Sequence, residues 1–172
     1  MTIDDHGRPE PPLEEDERAT LLGFLDYQRA TFAWKCAGLS DEQLRVSLPP
    51  SPMTLGGMMK HLAVVEDWWF TEVVGEQPTP EPWAAVDWVA DRDWEWHTAS
   101  YETGNDLRST WQASVDRSRA VVQGVTDLGE VHPARRERMS VRWVVTHMIE
   151  EYARHNGHAD LIRESIDGQT GE

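Results

Sequence analysis

The 172-residue sequence predicts an all-α protein, arranged as a four-helix bundle. Three observations carry this reading. Four segments repeat apolar residues at helical spacing. Most of their ends carry a capping residue or a glycine stop. No segment sustains the alternation of a half-buried strand.

Residues 1–13 contain Pro9, Pro11 and Pro12 among many acids, which predicts a flexible acidic tail ahead of a single domain over 14–172. The first helix is expected over 14–37. Leu21, Leu22, Leu25, Gln28, Phe32 and Cys36 form its stripe, and Gly38 suits its C-terminal stop. A loop with Pro49, Pro50 and Pro52 follows. Thr54 then caps a second helix running to residue 75, with Leu55, Met58, Leu62, Val65, Trp69 and Val73 inward and His61 at the stripe's edge. Residues 76–103 are rich in Trp, Pro and Asp and read as a long connection between helices two and three, with short helical turns near 83–89. Long ordered connections of this kind tend to be functional.

The third helix is expected over 106–125, with Leu107, Trp111, Ser114, Val115, Ser118 and Val122 inward. Residues 126–139 read as a polar loop. Ser140 caps the fourth helix, which runs to residue 167 before Gly168. Its stripe is Val141, Val144, Val145, Met148, Tyr152, Ala159, Ile162 and Ile166. A faint internal echo links helices two and four: Met53-Thr54-Leu55 precedes His61 as Met139-Ser140-Val141 precedes His147.

Composition narrows the function classes. A net charge of -15 and the lack of a basic patch argue against nucleic-acid partners. No apolar run reaches the roughly 18 residues of a membrane span. The N-terminus lacks a signal-peptide pattern, so a cytoplasmic protein is expected. The single cysteine, Cys36, excludes an intramolecular disulfide and reads as a buried apolar residue, since no nearby motif supports a nucleophile. Nine tryptophans suggest a filled core or a walled pocket, and exposed ones would allow a homodimer interface.

The chemistry concentrates in the fourth helix. His147, Glu151 and His155 recur every fourth residue on a side that is otherwise apolar. A carboxylate and imidazoles in a core-facing stripe need a partner, and a divalent metal would provide one. Residues four apart lie about 40° apart in azimuth and about 6 Å apart along the axis, so neighbours in this series can share one ion. His147 and His155 are two turns apart, too far to share it readily. The facing second helix offers His61, giving a candidate set of His61, Glu151 and His155. Two imidazoles and one carboxylate suit zinc with an open position; nickel, manganese or iron(II) would fit the same donors. His147 becomes a packed or supporting residue. His158 and Asp160 are candidates to orient ligands or touch substrate. No catalytic residue is marked apart from the metal donors.

The pattern M-T-L-G-G-M-M-K-H-L (53–62) together with H-M-I-E-E-Y-A-R-H-N-G-H-A-D (147–160) resembles the DinB-like superfamily. Within it the chain is most similar to the mycothiol-dependent transferase branch, related to the N-terminal domain of mycothiol-dependent maleylpyruvate isomerase. The resemblance covers nearly all of the chain after the tail. It implies a DinB-like bundle with a divalent metal on His61, Glu151 and His155. Many DinB-like members carry a third histidine where Glu151 stands, and the glutamate favours the isomerase-type branch. The common Arg-Gly-Gln after the last ligand is replaced by Asn156-Gly157-His158. The isomerase's own activity, which uses a further domain, is not carried over.

The implied activity is thiol S-transfer: a mycothiol-type thiol activated by the metal attacks a small electrophile, in detoxification or stress response. A metal-dependent hydrolase using His147 or His158 as proton acceptor is the competing enzyme reading. A non-catalytic, metal-stabilised binding or dimerisation bundle is the competing non-enzyme reading.

Overall fold

The computed structural model describes residues 2–134 and 137–171. The parts of the expected tail, the 126–139 loop and the 14–172 domain that fall on residues 1, 135, 136 and 172 lie outside them. The described residues are mostly helical with one small sheet. No helix among the described residues is long and apolar enough to cross a membrane.

Helix α1 spans Glu17–Cys36, and the Asp16 carboxylate caps it by accepting from the Ala19 amide at 2.8 Å. The chain leaves α1 through Gly38, whose φ of 73° is readily available only to glycine. The segment expected to be a flexible tail folds back onto α1. Arg8 pairs with Asp4 at 2.7 Å, donates to Thr31 Oγ1 at 3.0 Å and lies over the rings of Tyr27 and Trp34. The short helix α2, Asp41–Leu44, occupies part of the expected loop; Ser40 and Gln43 build a complete capping box at its start.

Helix α3 covers Leu55–Glu66, with the Thr54 hydroxyl accepting from the Gly57 amide at 3.0 Å. It continues without a break as a π-helical stretch, Asp67–Val74, and closes with the Gly75 amide on the Phe70 carbonyl. The connection that follows holds a 3-10 turn at Trp83–Ala85, helix α4 at Trp94–Thr98 and a second 3-10 turn at Ala99–Tyr101. Helix α5 spans Gly104–Gly124 and buries all six residues expected to face inward.

The polar loop expected over 126–139 is instead, in its described part, an antiparallel pair. Strand β1, Val131–Ala134, pairs with β2, Glu137–Ser140, in the register Val131 to Ser140. This replaces the expected loop with a small hairpin in a fold that is otherwise helical, as expected. Neither strand carries apolar alternation, and Pro133 cannot donate to the ladder, so the sequence lacks the usual strand signal. His132 Nδ1 lies 3.1 Å from Glu76 Oε1 and ties the hairpin to the end of the π-helical stretch.

Helix α6 covers Val141–Asp167. Ser140 caps its start, and Gly168, at φ 78°, returns its amide to the Glu164 carbonyl. Helix α1 packs on α6, α3 packs on α5, and α3 also meets α4 and α6. Phe32, Met58, Leu62, Val145, Met148 and Tyr152 are fully or almost fully buried where these faces meet.

A polar network crosses this core. Glu66 is wholly buried and accepts two hydrogen bonds from Arg29, at 2.8 and 2.7 Å. It also accepts from the Tyr152 hydroxyl at 2.8 Å, and that hydroxyl accepts from Trp111 Nε1 at 2.8 Å. Burial, followed by the Glu66 charge, raises the Tyr152 phenol well above its ordinary pKa, so it stays a donor. Removing one partner strands the other charge in the core. Glu66→Ala is expected to lower unfolding free energy by about 3–5 kcal/mol in urea titration. A change within the error of that measurement would contradict this account of the core.

Candidate metal centre

Three residues predicted from the sequence come together at one point. His61 reaches from α3 to α6, where its Nε2 lies 3.2 Å from Glu151 Oε1. The same oxygen is 3.4 Å from His155 Nε2, one turn further along α6. One donor atom from each residue lies within 4.8 Å of the other two. The side chains are mostly buried yet not sealed: 21% of His61, 14% of Glu151 and 7% of His155 remain accessible.

The spacing suits a shared cation. Metal–ligand distances of about 2.0–2.2 Å imply about 3.4 Å between donors of a tetrahedral set, close to the two edges seen. The donor chemistry, two imidazole nitrogens and a carboxylate oxygen, fits zinc and also nickel, manganese or iron(II).

The electrostatics point the same way. Hydrogen bonds from His155 and then His61 hold the Glu151 carboxyl well below the usual carboxylate range. Burial alone would lower the pKa of His61. Its hydrogen bonds to Glu151 and Glu95 outweigh burial and raise it. The imidazole between two carboxylates is thus a place that favours positive charge.

The supporting candidates separate. His147 stacks on Trp143 with ring centroids 5.0 Å apart, meets the edge of Trp69 at 5.1 Å and lies 3.5 Å from Glu150. Its partners therefore form an aromatic cluster one turn before Glu151. Asp160 pairs with the buried Lys35 at 2.7 Å and ties α6 to α1. His158 meets the His155 ring edge-on at 5.8 Å. Burial, then the His155 and Arg154 charges, lower the pKa of His158.

Sequence reasoning missed two neighbours. Glu95 Oε1 lies 3.0 Å from His61 Nδ1, and Trp96 stacks on the His61 ring at 4.8 Å. Both belong to α4, inside the long connection. Gly57 makes room for Trp96: a Cβ there would fall 2.7 Å from the indole. The available signal was an acid set between tryptophans, in a segment without periodicity to show which side is buried.

A family model described as mycothiol-S-transferase matches residues 20–168, a span that contains all three convergent residues. No curated protein matches the chain. Zinc content measured by mass spectrometry after reconstitution is expected to collapse in His61→Ala and Glu151→Ala and to persist in His147→Ala. Full zinc in both of the first two variants would dismiss the centre.

Proposed function

The chain belongs to the mycothiol-S-transferase family, and on that premise we propose that it is a divalent-metal-dependent thiol S-transferase. The observation that carries the metal part of this reading is the convergence of His61, Glu151 and His155 within 4.8 Å. The thiol would be mycothiol, and its partner a small electrophile.

His61 and His155 would hold the metal through neutral nitrogens, and Glu151 would supply the anionic oxygen. A bound divalent metal supplies Lewis acidity that favours the deprotonated form of a thiol at neutral pH. As the carbon–sulfur bond forms, the electrophile's leaving group would depart with its bonding electron pair, or the electron pair of an attacked double bond would take up a proton from solvent; the thiol proton would pass to solvent. Three protein donors are the usual number for a catalytic zinc site, which leaves room for an exogenous ligand. Trp96 walls the centre on the side of α4 by stacking on the His61 ring.

The architecture supports the same reading. We take the four long helices, α1, α3 with its π-helical extension, α5 and α6, as a DinB-like bundle, with 14–172 acting as one domain. Its proposed setting is the cytoplasm, in detoxification or stress response, acting on small molecules.

Cys36 has no part in this chemistry. It is buried, and burial pushes its thiol up to about 12. At pH 8 that leaves about one thiolate in ten thousand. Cys36→Ser is expected to keep transferase activity within about twofold, and native Cys36 is expected to resist alkylation at that pH. Loss of activity in that variant with the fold intact would place the cysteine in the mechanism.

The direct test is conjugation of a generic electrophile by the zinc-loaded protein with mycothiol, bacillithiol or glutathione. Stimulation by mycothiol, lost in Glu151→Ala, is expected. No stimulation by any thiol in a fully loaded protein would overturn the transferase reading.

A further inference from the structure

We propose that Glu95 is a positioning residue that fixes the ring of His61 for metal ligation, with Trp96 holding the ring's face. The inference rests on the metal centre proposed above and assigns a task to the tryptophan-rich connection.

Glu95 is 6% exposed, although it lies in a connection whose other acids mostly face solvent. Its Oε1 is 3.0 Å from His61 Nδ1. Its Oε2 is buried and has no hydrogen-bond partner among the described residues. A desolvated carboxylate with one good hydrogen bond is unfavourable unless positive charge lies nearby. A cation beyond the imidazole would supply that charge.

The arrangement also selects the tautomer. With a cation in place of the proton on Nε2, an Nδ1–H donated to Glu95 would leave the Nε2 lone pair free to ligate on the side where the three donors converge. A carboxylate on the far nitrogen raises ligand basicity and fixes the ring's rotation. Trp96 adds a face contact, its ring 28° from the plane of His61.

The connection is anchored so that this contact holds. Lys60, next to His61, is buried; its ammonium donates to Thr98 Oγ1 at 2.6 Å, pairs with Glu102 and lies 4.0 Å from the centroid of Trp94. Trp94 before Glu95 and Thr98, two residues after Trp96, are thereby bound to the helix that carries His61.

The test compares Glu95→Ala and Glu95→Gln with the unmodified protein. Zinc affinity is read by chelator competition, and the His61 ring by nitrogen-15 NMR of the zinc-loaded protein. Glu95→Ala is expected to bind zinc about 10–100-fold more weakly and to lose the protected Nδ1–H signal. Glu95→Gln, which keeps an acceptor without charge, is expected to recover most of the affinity and to keep that signal, shifted upfield. Circular dichroism of the metal-free proteins checks the fold. Should Glu95→Ala fail to fold, Glu95→Gln carries the test alone, and affinity and ring signal identical to the unmodified protein would overturn the inference. Unchanged zinc affinity in folded Glu95→Ala, with a loss in His61→Ala, would overturn the inference alone. Full zinc affinity in His61→Ala would overturn the metal centre and this inference with it.

Discussion

The buried ion pair between Arg29 and Glu66 is the constraint on which the rest depends. It joins α1 to α3, and through Tyr152 and Trp111 it reaches α6 and α5. Such a pair gives little net stability compared with apolar packing, because desolvation offsets much of its attraction. Its use here is register. Glu66 follows His61 on one continuous helix, and Tyr152 stands between Glu151 and His155. Locking Glu66 to Tyr152 therefore sets the height of His61 against both residues on α6. The next acid, Asp67, does the same for the connection: it accepts from Arg117, Ser114 and Trp83, at 2.7–2.8 Å. Trp83 then meets Trp94 edge-on, one residue from Glu95.

The charge balance at the centre follows from this scaffold. Two carboxylates, Glu95 and Glu151, flank the His61 imidazole in a largely desolvated place, and His155 meets Glu151 from its own helix. The protein thus builds a local need for positive charge, in the spot where three donors from two helices converge. That is a stronger argument for a cation than the spacing along α6, because it combines geometry with an energetic demand. The partial accessibility of His61 and Glu151 leaves a route from solvent, which a purely structural ion would not require.

The sequence and the structure agree where the signal is local. Capping by Thr54 and Ser140, the αL exit at Gly168 and the stripe of α5 depend on residues within a few positions of each other. His61, Glu151 and His155 were readable because two of them share a helix and the third sits on a facing stripe. What was not readable depends on distant partners. Lys35 finds Asp160, Lys60 finds Glu102, and Arg29 finds Glu66 only after the chain has folded. Periodicity cannot announce such buried charges. The hairpin was hidden for another reason: its pairing is carried by backbone, with a proline in one strand. The capping box of Ser40 and Gln43 was present in the sequence, but the helix it starts has a single buried residue and so no stripe. Glu95 lay in a stretch whose pattern gives no inside or outside.

These parts converge on one claim: His61, Glu151 and His155 would hold between α3 and α6 a cation able to bind the sulfur of a small thiol. Cobalt(II) in place of zinc reports this directly through the protein's absorption spectrum. Titration with mycothiol is predicted to produce a sulfur-to-cobalt charge-transfer band in the near ultraviolet that saturates with thiol. A cobalt-loaded protein whose spectrum stays unchanged at saturating mycothiol would contradict it.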